Sequence, residues 1–308
     1  MAKLTIVGAG NLGSQAAFYA AIKGVADIVL VDIVEGMPQG KALDMLEAMP
    51  ISGSNVKISG SNSYEATKES DVVIVTAGIP RKPGMTREDL LDTNTKIMKS
   101  VIPEVVKNSP NCILIIVSNP LDAMVYLAYK LSGFPKSRVI GMAGVLDSAR
   151  FRAFIAEELS EDVNNVEAMM LGSHGDLMVP LVGHCKVNGK LVTELIEKEK
   201  LDEIIERARK GGGEIVQLLK TGSAFFAPGL SAAQMAESII KDEKKILPCA
   251  AFCEGEYGIN GLFVGVPAKL GKDGVDEIVE LELSEEEKKA LEASVRHIKE
   301  VVEKVKID

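Results

Sequence analysis

The stretch "GSHGD" sets His174 between a serine and a glycine in a polar, turn-forming segment. An imidazole changes charge near neutrality, so His174 is the natural candidate for moving a proton to or from an oxygen on carbon. The other two histidines are less suited: His184 lies in a strand-like run and reads as structural, and His297 sits among charges near the C-terminus and reads as a solvated surface residue. An acid/base histidine needs an orienting carboxylate, and "LDSARF" offers Asp147. On a helix, Asp147 and Arg150 would share a face, and taken alone the pair reads first as a surface ion pair worth about 0.2–0.5 kcal/mol.

A second group of cations stands in "AGIPRKPGMTREDL", where Arg81, Lys82 and Arg87 follow the apolar run "DVVIVT". Arg81 and Arg87 are two of eight arginines against 27 lysines in a chain of net charge -9. The fork of a guanidinium matches a carboxylate in a way an ammonium does not, so these positions look selected for geometry rather than charge. Lys82 reads as a solvated loop cation, and the same reading holds for Arg81 if its side chain faces solvent.

These residues must be positioned by a regular scaffold. "KLTIVGAG", "DIVLVDI", "NVKISG", "DVVIVTAG" and "CILIIVSNP" are short apolar runs separated by helical stretches such as "NLGSQAAFYAAIKG" and "TREDLLDTNTKIMKSVIPEVVKNSP". Continuous rather than alternating apolar strands in a β-α-β-α rhythm predict a parallel sheet covered on both faces, a doubly wound (Rossmann) α/β domain over residues 1–144. Residues 145–308 change rhythm to longer helices and sparser strands, predicting an α+β substrate domain. It includes a helical region from Lys198 to Leu219 interrupted by Gly211, Gly212 and Gly213. It closes with a helix whose Ser284 and Glu287 form a capping-box pattern ahead of Leu291, Val295, Ile298, Val302 and Val305 at helical spacing. No linker separates the halves, which predicts that they pack firmly together.

Between the first strand and the first helix lies "GAGNLG": Gly8, Gly10, Asn11, Leu12 and Gly13. A lone G-x-G-x-x-G is a weak signal, readable as a tight strand-to-helix turn. Here the next strand ends in Asp32, 19 residues beyond Gly13. In that context the glycines let the backbone approach a pyrophosphate at a helix N-terminus, and Asp32 accepts from the adenosine ribose hydroxyls. No arginine or lysine follows Asp32 before Lys41, so its carboxylate disfavours a 2′-phosphate and NAD is expected over NADP.

Composition narrows the remaining classes. With 308 residues, 46% hydrophobic and 26% charged, the chain can bury a large core. Its acidic balance argues against nucleic acid or an anionic membrane as partner, since both require a broad basic face. The N-terminus leads straight into a strand rather than a signal peptide, and apolar runs such as "CILIIV" are too short to span a bilayer, so a cytoplasmic location is expected. Cys112, Cys185, Cys249 and Cys253 show no metal-ligand spacing, and reduced, buried thiols are expected with no metal site.

Taken in order, "GAGNLG", "VDIVEG", "RKPGMTREDL", "SNPLDA", "GVLDSARF" and "GSHGDLMVPL" span nearly the whole chain and resemble the lactate/malate dehydrogenase family, closest to its lactate-dehydrogenase-like, NAD-dependent malate dehydrogenases. The resemblance implies His174 as proton acceptor, Asp147 orienting it, and Arg150 holding the substrate carboxylate through two parallel hydrogen bonds. It implies that Arg87 polarises the substrate carbonyl and that Asn119 bonds the substrate and the nicotinamide side; a strand-ending turn is the plain alternative for Asn119-Pro120. The segment after the fourth strand resembles a lid that closes over substrate and brings Arg87 with it. Arg81 stands where lactate dehydrogenases carry an uncharged residue, usually glutamine, and malate dehydrogenases carry arginine. A second arginine suits the second carboxylate of malate or oxaloacetate, and closing over pyruvate would bury it unpaired at a cost of about 3–5 kcal/mol. The implied activity is reversible oxidation of (S)-malate to oxaloacetate, a tricarboxylic acid cycle reaction, by a homodimer or homotetramer. Two alternatives stay open: a lactate or relaxed 2-hydroxy-acid dehydrogenase, and a non-catalytic NAD-sensing module with no use for Asp147, Arg150 and His174 together.

Overall fold

A computed structural model describes residues 1–80 and 85–307. Six strands, β1 (Lys3–Val7), β2 (Asp27–Val31), β3 (Ile58–Ser61), β4 (Val72–Val75), β5 (Ile113–Ile116) and β6 (Val139–Gly141), lie side by side in the order β3-β2-β1-β4-β5-β6. Every pairing among them is parallel. The connections are α1 (Asn11–Ile22), α2 (Met37–Ser52), α3 (Arg87–Asn108) and α4 (Leu121–Ser132), with an irregular link from β3 to β4. Helices on both faces bury both sides of the central strands: Val72, Val73, Ile74 and Val75 are wholly inaccessible. That is why these runs are continuously apolar. Chain order reverses between β1 and β4, which opens a crevice at the carboxyl ends of the strands, where such sheets bind ligands.

The second half comprises α5 (Gly144–Leu159), short strands β7 (Val166–Glu167), β8 (Met170–Gly172), β9 (Met178–Pro180), β10 (Lys186–Val187) and β11 (Lys190–Leu191), then α6 (Lys198–Leu219) and α7 (Phe226–Ile240). A long antiparallel pair, β12 (Lys245–Glu254) and β13 (Asn260–Gly271), is followed by β14 (Gly274–Ile278) and α8 (Glu285–Glu303). β12 pairs with β6 through Ala250 and Gly141, so the parallel sheet continues into the antiparallel one as a single sheet of 11 strands among the described residues. One hydrophobic cluster accordingly runs from Leu4 and Ile6 through Ala232 and Met235 to Val264 and Val266. Where α7 packs on α1, a Cβ on Gly229 would meet the Leu12 carbonyl at 3.0 Å. The second half thus supports the helix that opens the dinucleotide crevice.

Two local expectations change. α6 runs unbroken from Lys198 to Leu219 through the three glycines, because its packing against α5 outweighs their poor helix propensity of about 1 kcal/mol each. The run expected to be strand around His184 is instead three two- or three-residue strands and a 3₁₀ turn, Val182–His184. The His184 ring is tied through Nε2 to the Glu282 carbonyl at 2.7 Å, a structural role. His297 lies half-buried on α8. The capping box forms as expected: Ser284 Oγ accepts from the Glu287 amide, and Glu287 Oε2 accepts from the Ser284 amide at 2.8 Å. All four cysteines are free and buried. Burial pushes the thiols of Cys112, Cys185 and Cys253 up to about 12. Among the described residues, no helix is long and apolar enough to cross a membrane.

Candidate active site

The crevice is built from three turns at the carboxyl ends of neighbouring strands. After β1, Gly8 adopts φ +106°, and a Cβ there would collide with Thr76 Oγ1 beyond β4. A Cβ on Gly13 would collide with the Gly8 carbonyl, so both glycines are required by close packing of strand and helix. Gly10, by contrast, has nothing within 4 Å of a built Cβ and stands at the N-terminus of α1, which has no side-chain cap and no acidic residue in its first turn. Open space over uncapped N–H groups is what a pyrophosphate needs, and the cradle fits a dinucleotide. Asn11 and Leu12 are the first two residues of α1.

Asp32, just past β2, faces the same turn: its Oδ2 accepts from the Ala9 amide at 2.7 Å and its Oδ1 from the Val34 amide at 3.0 Å. Asn62 braces this corner by donating to the Asp32 and Val34 carbonyls at 2.8 and 2.9 Å. The carboxylate is therefore fixed beside the phosphate cradle. Like charges placed together at a binding site cost several kcal/mol, so kcat/KM with NADPH should be at least ~100-fold below that with NADH. Comparable values with the two cofactors, measured at one oxaloacetate concentration series, would contradict the reading of Asp32.

The second half contributes the histidine expected to act as acid and base. Asp147, 2% exposed on the first turn of α5, is shared by two partners. Its Oδ2 accepts from His174 Nδ1 at 2.9 Å, and its Oδ1 accepts from Arg150 at 3.3 Å. The Asp147–Arg150 pair is thus no solvated surface pair: the Arg150 side chain is only 14% exposed. A carboxylate can only accept, so the ring proton sits on Nδ1 and Nε2 is left with its lone pair. Burial by itself favours the neutral ring. The charge and hydrogen bond of Asp147, helped by the charge of Asp122, outweigh that burial and the opposing Arg150, and hold His174 above its ordinary 6.5. Burial lowers the Arg150 pKa, with Asp147 opposing.

Positioning of this group rests on residues to which the sequence alone gave no role. The loop after β8 turns at Gly172, φ +82°, where a Cβ would meet Ser294 Oγ of α8 at 2.5 Å. Ser294 Oγ in turn accepts from the Ser173 amide at 2.7 Å. Asp122, on the first turn of α4, accepts from the His174 amide at 3.3 Å. Its Oδ1 is buried with no hydrogen-bond partner among the described residues. Burial, with Asp147 adding and His174 opposing, pushes Asp122 up to about 7. The visible signal was an acid inside the apolar run "PLDAMVYLA", where a charge needs a reason. Likewise Gly211 and Gly212 face Arg150: a Cβ on Gly211 would lie 3.1 Å from Arg150 Cδ. Of the glycines that looked like a helix interruption, Gly211 makes room for the arginine.

The remaining expected residues divide. Arg87 is the first residue of α3, set by a capping box in which Thr86 Oγ1 and Asp89 exchange hydrogen bonds. It reaches the His174 loop by an exposed ion pair to Asp176 at 3.2 Å. Asn119 ends the turn after β5, exposed, with a cis peptide to Pro120. Arg81 and Lys82 lie outside the described residues.

A dinucleotide crevice at the carboxyl edge of a doubly wound sheet, joined to a histidine–carboxylate pair and a buried arginine, defines the nicotinamide-dependent dehydrogenases as a class. The chain belongs to the lactate/malate dehydrogenase family: residues 2–141 match its NAD binding domain, and residues 144–307 match its alpha/beta C-terminal domain. Malate dehydrogenase of Rhodopirellula baltica is 54% identical over 303 residues, 98% of this chain and 96% of that protein. The solved malate dehydrogenase of Salinibacter ruber superposes with a TM-score of 0.95 at 50% identity, covering 98% of this chain and 97% of that one. A lactate dehydrogenase of Cryptosporidium parvum, solved with lactic acid and nicotinamide adenine dinucleotide, superposes at 0.96 with 42% identity over 99% and 98% of the two chains.

Proposed function

We propose that this enzyme is an NAD-dependent malate dehydrogenase that reversibly oxidises (S)-malate to oxaloacetate. The observation that carries the reading is the buried Asp147 carboxylate shared by His174 and Arg150. It provides a neutral-range base and a carboxylate anchor side by side, a combination with no use in a sensing module. Relatives named malate dehydrogenase at about 54% identity over nearly the whole chain support malate as the substrate. When bound, NAD supplies the hydride acceptor. Malate is anchored by Arg150 through the carboxylate next to the reacting carbon, and His174 Nε2 takes the hydroxyl proton while Asp147 steadies the imidazolium formed. Arg87 polarises the carbonyl oxygen, Asn119 holds the substrate on the nicotinamide side, and Arg81 reads the second carboxylate. In the reverse direction the protonated ring returns its proton to that oxygen. Further parts of the proposal are a cytoplasmic location, a place in the tricarboxylic acid cycle, a homodimer or homotetramer, and a boundary between cofactor and substrate domains at residue 144. Exposed apolar side chains on α2, Leu43, Leu46 and Ile51, support association with a second copy.

NADH oxidation followed with oxaloacetate and with pyruvate under matched conditions tests the substrate. Oxaloacetate should be favoured in kcat/KM by ~100-fold or more, the worth of one buried charge pair. A preference for pyruvate would make the enzyme a lactate dehydrogenase.

A further inference from the structure

Asp122 is 8% exposed, an acid between Leu121 and Ala123 on the first turn of α4, where every residue from Leu121 to Val125 is buried. A carboxyl group in so dry a place is costly unless it is paired, yet its Oδ1 has no hydrogen-bond partner among the described residues. Its Oδ2 has one, the His174 amide, and that bond crosses from the first half of the chain to the second. α4 begins directly after the Asn119 turn with Pro120 as an N-cap that offers no side-chain bond, so the free N–H groups of its first turn favour a negative charge at Asp122. The charges that act on it come from the second half: His174 favours the carboxylate and Asp147 opposes it. Among the described residues, α3, α8 and the strands packed on α4 add no further charge to these. His174 feels both carboxylates in return, with Arg150 opposing them. The His174 loop already has a neutral tether in Ser294. An uncharged side chain would serve as a second, so the acid at position 122 needs a reason of its own.

We infer that Asp122 is a positioning residue that acts on His174 by charge as well as by tether: it pins the histidine backbone to the helix that follows Asn119, and it stabilises the protonated ring from the other half of the chain than Asp147 does. The inference rests on the acid/base role proposed for His174. Asp147 bonds the ring at Nδ1, whereas Asp122 bonds only the backbone, so their losses differ in kind. Removing the charge of Asp122 leaves the tautomer of the ring intact and changes the pH at which the ring holds its proton.

Asp122→Asn keeps an oxygen for the His174 amide and removes the charge. At pH well below the wild-type midpoint, kcat/KM for oxaloacetate should stay within about threefold of wild type, and above the midpoint it should fall ~10-fold or more. The rising limb of malate oxidation should move to lower pH. The ring can also be followed without turnover: the chain has three histidines, so an NMR titration resolves His174, and its midpoint should fall in the variant. Asp122→Ala should show the same lowered midpoint and serves if the asparagine variant does not fold. It removes the tether as well, which should add a loss in kcat on the order of 100-fold at every pH. Ser294→Ala removes the neutral tether alone and should lower kcat with the midpoint kept. If the ring midpoint of the Asp122 variants equals that of wild type, or Ser294→Ala moves it as far, His174 does not feel the charge of Asp122 and the inference is overturned. A ring midpoint that falls while the pH profiles of both directions stay in place would refute His174 as the acid/base instead, so the two failures are distinguishable.

Discussion

Asp147→Asn is expected to lower kcat/KM in both directions by ~10³–10⁴-fold, the scale seen when an acid/base histidine loses its orienting carboxylate. An asparagine amide can donate to His174 Nδ1, which moves the ring proton to Nε2 and blocks acceptance of the malate proton. It also removes the charge and hydrogen bond that hold His174 above 6.5 against burial. In the wild type, oxaloacetate reduction requires the protonated ring and should fall as pH rises through that elevated pKa. Malate oxidation requires the neutral ring and should rise over the same interval. In the variant both midpoints should move to lower pH, since burial and Arg150 then dominate. Measurement of kcat/KM against pH in both directions at saturating cofactor checks this, and an unchanged midpoint would mean that Asp147 does not govern His174. Arg150 also loses a partner, at an expected cost of a few kcal/mol in stability, about 3–5. The comparison therefore belongs at a temperature well below the variant's Tm.

Arg81→Gln and Arg150→Gln should separate selectivity from anchoring. If Arg81 pairs with the distal carboxylate, its replacement removes a charge-assisted bidentate contact that oxaloacetate makes and pyruvate does not. The loss for oxaloacetate should be on the order of 100- to 1000-fold in kcat/KM, while pyruvate gains because no unpaired cation is buried. Arg150 behaves differently, since both substrates carry the carboxylate beside the carbonyl. Its guanidinium is braced by Asp147 and given room by Gly211, an arrangement glutamine cannot reproduce. Arg150→Gln should therefore damage both substrates by similar factors. Equal losses for the two substrates on replacing Arg81 would remove the main physical support for malate as substrate.

The parallel half was legible because its signals are local. A strand buried on both faces must be apolar throughout, as Val72–Val75 is, and a crossing of strand and helix as tight as that at Gly8 and Gly13 admits only glycine. Asp32 could be read from its place at the end of a strand, and the box at Ser284 and Glu287 from a spacing of three. The three residues that meet around Asp147 were also singled out by type, Asp147 and Arg150 by helical spacing and His174 by its turn-forming neighbours.

Burial and partnership across long separations were not legible, because no short-range pattern encodes them. Asp147 and His174 lie 27 positions apart and meet only because α5 and the end of β8 pack together. Three glycines in α6 read as a break by propensity, yet the helix continues, and one of them, Gly211, is packed tightly against Arg150. Asp122 stands in "SNPLDA" without a role that local pattern could assign, and its meaning appears only when the His174 amide is found 52 positions away. Asn94 is the same case, a polar residue in a helix whose three partners belong to other segments. Chemistry and local geometry are properties of residue type and spacing, and these were present in the chain from the start. Protonation, tautomer and alignment depend on which distant groups share a dry environment, and only the packed fold brings those groups together.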